Sequence, residues 1–237
     1  MSGNSYFILD ILEKYSKYLV GSFNQTAWDS IETDIGIPAS NLNIVGLLGG
    51  WCDFSTSEES AKKSMDNIAQ QISLMRQLHI NEIRLFVGRD KYQSLEHART
   101  LSSTLRAIKY MAQKYPETQF TFETHGGISN IPDFMELLVS QAPNLWITLD
   151  PGNLIRYSPQ IDPFKFIYLA SKINCIHVKG WSENGFQSYC TSDEGLRLMP
   201  ELIKQFSPRH VILEEEGMFV TRDSLLNSFQ LLKKKVF

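Results

Sequence analysis

Cysteine is scarce: the 237 residues contain three, Cys52, Cys175 and Cys190, with no C-x-x-C pair among them. An odd count at such wide spacing excludes a disulfide framework and leaves reduced thiols, as expected of a cytoplasmic protein. No apolar run approaches the roughly 18 residues a membrane-spanning helix needs, so no membrane partner is expected. Positive charge is not in excess either. The 23 Lys and Arg stand against 26 Asp and Glu, a net charge of −3, so no nucleic-acid partner is expected. The start of the chain lacks the charged segment, apolar block and small-residue cleavage site of a secretory signal. Low-complexity stretches and linkers are missing. What remains is a globular composition, 43% hydrophobic and 21% charged, which excludes disordered and fibrous chains. The length suits one domain over 1–237.

From residue 43 onward, short apolar runs alternate with longer amphipathic segments. The expected strands are 43–48, 82–88, 119–125, 145–150, 173–179 and 210–215. Between the first two, Thr56 and Glu59 read as a capping box. Met65, Ile68, Ile72 and Met75 then recur at helical spacing. Further helices are expected at about 94–114, 131–141, 162–172, 193–206 and 221–234. Strand and helix alternating this often predict a parallel sheet with helices outside it, an α/β barrel of six clear βα units. The first 42 residues are short for two more units of about 30 residues each. A helix near 7–18, a strand at 18–23 and a short helix near 26–34 are expected there, and a barrel incomplete or irregular at its start. Such a seam calls for a covering helix or a homo-oligomer.

Two-residue periodicity then sorts the strand residues by face. Phe120 and Phe122 oppose Thr121, Glu123 and His125. Leu145, Ile147 and Leu149 oppose Trp146, Thr148 and Asp150. Ile176 and Val178 oppose Cys175, His177 and Lys179, and Val211 and Leu213 oppose Ile212 and Glu214. A barrel strand turns its apolar face to the helices. Glu123, Asp150, His177 and Glu214 therefore point inward at the carboxyl ends of their strands, where α/β barrels keep their active sites. Three carboxylates and an imidazole gathered there would repel one another without a cation. They make an O/N ligand set for Mn²⁺, Mg²⁺, Co²⁺ or Zn²⁺. The competing reading is four unrelated polar residues satisfied by solvent.

The segments FTFETHGG, ITLDPGN, CIHVKG and VILEEEG, in that order, resemble strands five to eight of the xylose isomerase-like TIM barrels, the sugar isomerases and epimerases related to tagatose/psicose 3-epimerase. NIVGLLGG and EIRLFVG look like the preceding two strands, so the resemblance covers about 43–237. It implies a metal held by Glu123, Asp150, His177 and Glu214. It further implies proton transfer on a small sugar-like substrate through a metal-stabilised enediolate, with Glu123 and Glu214 as the catalytic acid and base. The same ligand set also serves a lyase or dehydratase on a sugar-derived acid, and a non-catalytic barrel is the alternative from another class. Many members carry a His where this chain has Asn153, and an Asp where it has Gly180. With only five histidines, the chain departs from the trinuclear-zinc endonuclease branch.

Substrate contacts are assigned to His125, Asn153, Lys179 and Trp51. Three have a plainer reading beside them: His125 as a support for the Gly126-Gly127 loop, Lys179 as a rim lysine, and Trp51 as a packed loop aromatic. Arg84 reads as a salt-bridging barrel residue, and Glu216 as a support for Glu214.

Overall fold

The computed structural model describes residues 6–9, 47–52, 54, 58–77, 80–87, 96–214 and 221–236. Seven strands form one parallel sheet: β1 (Tyr6–Leu9), β2 (Leu47–Cys52), β3 (Glu82–Val87), β4 (Gln119–Glu123), β5 (Leu145–Leu149), β6 (Ile173–Val178) and β9 (His210–Leu213). A two-stranded antiparallel hairpin, β7 (Gly180–Ser182) and β8 (Gly185–Gln187), follows β6. Across the sheet the order is β1-β9-β6-β5-β4-β3-β2. Strands β2 to β6 and then β9 lie side by side in chain order, and β1 lies beyond β9. The first strand thus pairs with the last, which is how an α/β barrel wraps, and the described sheet ends at β1 and β2.

The helices are α1 (Glu58–Gln77), α2 (Glu96–Lys114), α3 (Pro132–Val139), α4 (Pro151–Tyr157), α5 (Asp193–Phe206) and α6 (Arg222–Val236). Their apolar stripes meet the outward face of the strands. Ile68, Ile72 and Met75 of α1, and Ile108 and Met111 of α2, are buried in one cluster with Phe120, Phe122, Leu145, Ile147, Ile176, Val178 and Val211. At about 1.5–3 kcal/mol for each large apolar side chain buried, this layer dominates the stability of the molecule. The inward residues Thr121, Thr148 and Cys175 are equally inaccessible. Both faces of the sheet are therefore covered, as parallel sheets require.

The observed strands depart from the expected ones in instructive places. Residues 6–9, YFIL, form a strand paired with His210–Leu213 rather than the start of a helix over 7–18. A run of four aromatic and apolar residues suits a strand as well as a helix, and pairing with β9 selects the strand. The strand expected at 18–23, the helix at 26–34, Thr56 and Glu216 lie outside the described residues. The strand expected at 43–48 is found at Leu47–Cys52, with an irregularity between Leu48 and Gly50. Gly49 and Gly50 were expected to end the strand, whereas the pair is absorbed as a bulge. Helix α4 and the β7–β8 hairpin were not expected. The segment expected to be helical near 162–172 is a 3₁₀-helix, Pro163–Lys172.

Candidate metal centre

Glu123 ends β4, Asp150 and Glu214 follow β5 and β9 directly, and His177 lies one residue before the end of β6. Parallel strands in register bring these four ends to one mouth. Each of the four offers a ligand atom, and these atoms lie within 4.8 Å of one another. His177 Nδ1 is 3.0 Å from Glu214 Oε2, 3.5 Å from Asp150 Oδ2 and 3.8 Å from Glu123 Oε2. Three carboxylate oxygens and one imidazole nitrogen at this spacing match in number and chemistry the donors of a hard or borderline divalent ion.

Two cations are built into the same mouth. Lys179, inaccessible to solvent, places Nζ 2.9 Å from Asp150 Oδ2 and 2.7 Å from Glu214 Oε2. Its stem runs past Gly152, where a Cβ would stand 2.7 Å from Lys179 Cγ, so the absence of a side chain there makes room for the lysine. Lys179 is thus no rim residue. Arg84, on β3, places Nη1 2.6 Å from His177 Nε2 and 3.4 Å from its Nδ1, and lies with Nε 3.2 Å from Glu123 Oε2. It bridges charges inside the barrel, as its position in the strand had suggested, but the charges are those of the candidate ligands.

Sequence alone missed the groups that hold the ligands in place. Asp150 caps α4 by accepting from the Asn153 backbone N–H at 2.8 Å, and Pro151 occupies the first helical turn, where its missing N–H costs nothing. The D-P-G-N run carries the signal of such a helix start. Asn153 Nδ2 donates to Glu123 Oε1 at 3.0 Å and to Asp150 Oδ2 at 2.9 Å, tying two ligands together from below. Both acceptors are carboxylates, which assigns the amide nitrogen to this side. Its Oδ1 is buried with no hydrogen-bond partner among the described residues. Thr124 Oγ1 accepts from the Asp150 backbone N–H at 2.8 Å, fixing that strand end.

Burial and neighbours push the two glutamates apart. Burial raises Glu123 to about 7, although Arg84 opposes the rise. Burial also acts to raise Glu214, but His177 and Lys179 overcome it and hold this carboxyl well below its usual range. Asp150 is likewise lowered, with Lys179 and His177 outweighing its burial. At His177, burial disfavours the charged ring while Glu214 and Glu123 favour it more strongly. Arg84 Nη1 lies 2.6 Å from Nε2 and 3.4 Å from Nδ1 of this ring, and Nδ1 is 3.0 Å from Glu214 Oε2.

Aromatic rings line the rim. His125 packs edge-on against Phe86 at 4.7 Å and lies 6.3 Å from Tyr157, which in turn is 6.4 Å from Phe186 on the hairpin. The Lys179 ammonium sits 4.8 Å from the Phe186 ring centre, so the hairpin covers one side of the mouth. His125 does face the mouth, and the Gly126-Gly127 loop is closed instead by Ser129 and Asn130. Burial lowers the His125 ring to about 4. Trp51 falls in β2, in register with Phe86. A cleft of about 530 Å³, lined by Arg156, Tyr157, Trp181 and Glu194 among others, shares Tyr157 with the rim.

The family described as xylose isomerase-like TIM barrel matches residues 32–215. No curated protein matches the chain by sequence. Among solved structures, the probable 3-DHS dehydratase AsbF of petrobactin synthesis from Bacillus anthracis is 16% identical, with a TM-score of 0.64 over 87% of this chain and 82% of that one. The IolI protein with a bound zinc atom is 10% identical, with a TM-score of 0.66 over 97% of this chain and 87% of that one. A xylose isomerase-like TIM barrel protein from Mycobacterium smegmatis, in complex with magnesium, is 12% identical, with a TM-score of 0.64 over 92% of this chain and 80% of that one. At these identities the likeness is one of fold.

Proposed function

The chain belongs to the xylose isomerase-like TIM barrel family, and on that premise we propose that it is a divalent-metal-dependent isomerase or epimerase of a small polyhydroxylated carbonyl compound. The observation that carries this reading is the convergence of Glu123, Asp150, His177 and Glu214 at one barrel mouth. These four residues would hold the ion, which would polarise a substrate carbonyl and acidify the neighbouring C–H. The bound zinc and magnesium of two structural neighbours support the choice of a divalent ion.

The chain's own groups supply the proton transfers. Glu123 and Glu214 stand on strands three apart in the sheet, so they flank the mouth from opposite sides. Their unequal environments support unequal roles: Glu214, held ionised by His177 and Lys179, would take the proton, and Glu123, raised by its burial, would return one on the other face. Lys179 keeps Asp150 and Glu214 charged and placed. Asn153 holds Glu123 and Asp150 in place, leaving His125 and the aromatic rim to meet the substrate. A second reading, dehydration of a sugar-derived acid, is favoured by the likeness to the probable 3-DHS dehydratase. There the Glu123 proton would go to the departing hydroxyl.

Metal analysis of the purified protein, with ketoses and sugar acids screened in D₂O, tests the proposal. Deuterium should enter the substrate at the carbon beside the carbonyl, and replacing any one of the four cluster residues by Ala should remove the metal while the far-UV spectrum is retained. A product lighter by one water would favour the dehydratase reading. Crystals soaked in Mn²⁺ that show no density among the four side chains would sink the metal reading altogether.

A further inference from the structure

A second concave surface adjoins the mouth. The cleft of about 530 Å³ is walled by the end of α4, the β7–β8 hairpin and the first turn of α5, and none of the four candidate ligands lines it. Its volume falls within the roughly 300–1,000 Å³ that small-molecule sites occupy. Tyr157 belongs to both the cleft and the aromatic rim, and it is 49% exposed.

The charged groups of this cleft do not neutralise one another. Arg156 places Cζ 4.9 Å from the Phe186 ring centre and 5.8 Å from that of Tyr157. Its Nη1 rests on Gly185, where a Cβ would stand 2.8 Å away and φ is +126°. Among the described residues its guanidinium has neither a hydrogen bond nor an ion pair, although Glu183 and Glu194 line the same cleft. Trp181 Nε1 donates to Glu194 Oε2 at 2.7 Å, which orients that carboxylate. Trp181 is fixed in turn by the Ser192 hydroxyl, which donates to its carbonyl at 2.9 Å and accepts from its backbone N–H at 3.1 Å. A guanidinium pinned by two rings and an oriented carboxylate thus line one cavity and leave their remaining hydrogen-bonding capacity to whatever enters it.

We propose that this cleft is the subsite for a second, neutral sugar unit, so that the substrate is a carbonyl sugar bearing a glycosyl group. The reacting unit sits at the cluster and the appended one beyond Tyr157. Sugar hydroxyls both donate and accept. The cleft offers donors in Arg156, acceptors in Glu183 and Glu194, and both in the Asn184 amide. The exposed Tyr157 ring gives the C–H face of a pyranose a flat apolar surface. A phosphate tail suits the cleft less, because two carboxylates outnumber one guanidinium among the residues lining it. The inference rests on the isomerase or epimerase reading of the cluster, and the following measurements separate the two.

The Mg²⁺-loaded chain is titrated with D-fructose, lactulose, isomaltulose and D-fructose 6-phosphate, with affinities taken from calorimetry. The Trp181 indole N–H is followed in ¹⁵N-tryptophan-labelled protein and assigned with Trp181→Phe. Lactulose and isomaltulose carry a glycosyl group yet keep the carbonyl and its neighbouring C–H accessible. At least one of them should move the Trp181 signal, which fructose leaves in place, and should bind about ten-fold or more tightly than fructose, the contribution of one hydrogen bond to a charged group. Arg156→Met, at an exposed position where the fold is not at stake, should remove most of that preference. Disaccharides bound no more tightly than fructose, or a preference untouched by Arg156→Met, would overturn the subsite alone. Tighter binding of the 6-phosphate only would also overturn it, in favour of an anion site. Failure of all four sugars to bind, with no deuterium entering any of them in D₂O, would overturn the reading of the cluster with it.

Discussion

His125 and Asn153 show how much a single side chain's surroundings decide. His125 lies two residues past Glu123 and packs against Phe86, and burial lowers its ring to about 4. The folded chain keeps it neutral where the unfolded chain, titrating near 6.5, takes up a proton. Stability from this group is therefore complete above about pH 6.5 and is lost as pH falls toward 4, by up to about 3 kcal/mol. Urea unfolding of wild type and His125→Gln should show the difference between them shift by that amount, against wild type, from pH 7 to pH 4. A difference independent of pH would mean that the ring is solvated. Asn153 is the opposite case, a residue whose work is entirely local. Asn153→Leu keeps the volume but leaves Glu123 Oε1 and Asp150 Oδ2 without their shared donor. The expected result is a rise in metal dissociation constant of about 10–100-fold with little change in the circular dichroism spectrum.

Among the elements, the β7–β8 hairpin was invisible in the sequence yet covers the mouth. Its first residue explains why this chain carries Gly180 after the H-V-K run. A Cβ there would stand 2.4 Å from the Ser188 carbonyl oxygen and 2.7 Å from that of Gln187, both backbone atoms. Backbone cannot swing aside as a side chain does, so Gly180→Ala must open the hairpin. It should cost about 1–3 kcal/mol of stability and raise KM more than it lowers kcat, since Phe186 would leave the rim while the cluster stays. Unchanged denaturation midpoints would show that the hairpin yields freely. Helix α4 teaches a related lesson. Pro and Gly in succession do not break the chain here, because Asp150 as cap and Pro151 in the first turn begin a helix that delivers Asn153 under the ligands.

At the scale of the molecule, pairing β1 with β9 joins the two ends of the chain order into one sheet. The opposite end of the barrel is closed by a polar cluster, where Asn174 donates to Glu82 Oε2 at 2.9 Å and His210 Nε2 lies 3.8 Å from the same oxygen. These residues lie at the starts of β6, β3 and β9, within the first two positions and far from the mouth, and barrel residues at that end serve stability. The amides of Tyr6–Leu9 should accordingly exchange slowly, on the scale of those in β9, when hydrogen exchange is followed by mass spectrometry. Rapid exchange over 6–9 beside a protected β9 would show that β1 is not part of the cooperative unit. Sedimentation in parallel would tell whether any protection comes from self-association.

Alternating apolar runs and amphipathic segments were enough to determine the α/β class. Two-residue periodicity was enough to place Glu123, Asp150, His177 and Glu214 on the inner face at one end, because a strand's geometry is local and survives any tertiary context. What the sequence could not decide was set by contacts between residues far apart in the chain. Arg84 reaches His177 across 93 positions, and Lys179 reaches Asp150 and Glu214 from a neighbouring strand. Whether a lysine is a rim residue or a fully buried counter-ion depends on what closes over it, and here Gly152 and the hairpin do. Periodicity gives the direction of a side chain, but only the folded barrel brings the charges close enough, and excludes enough water, for them to choose partners.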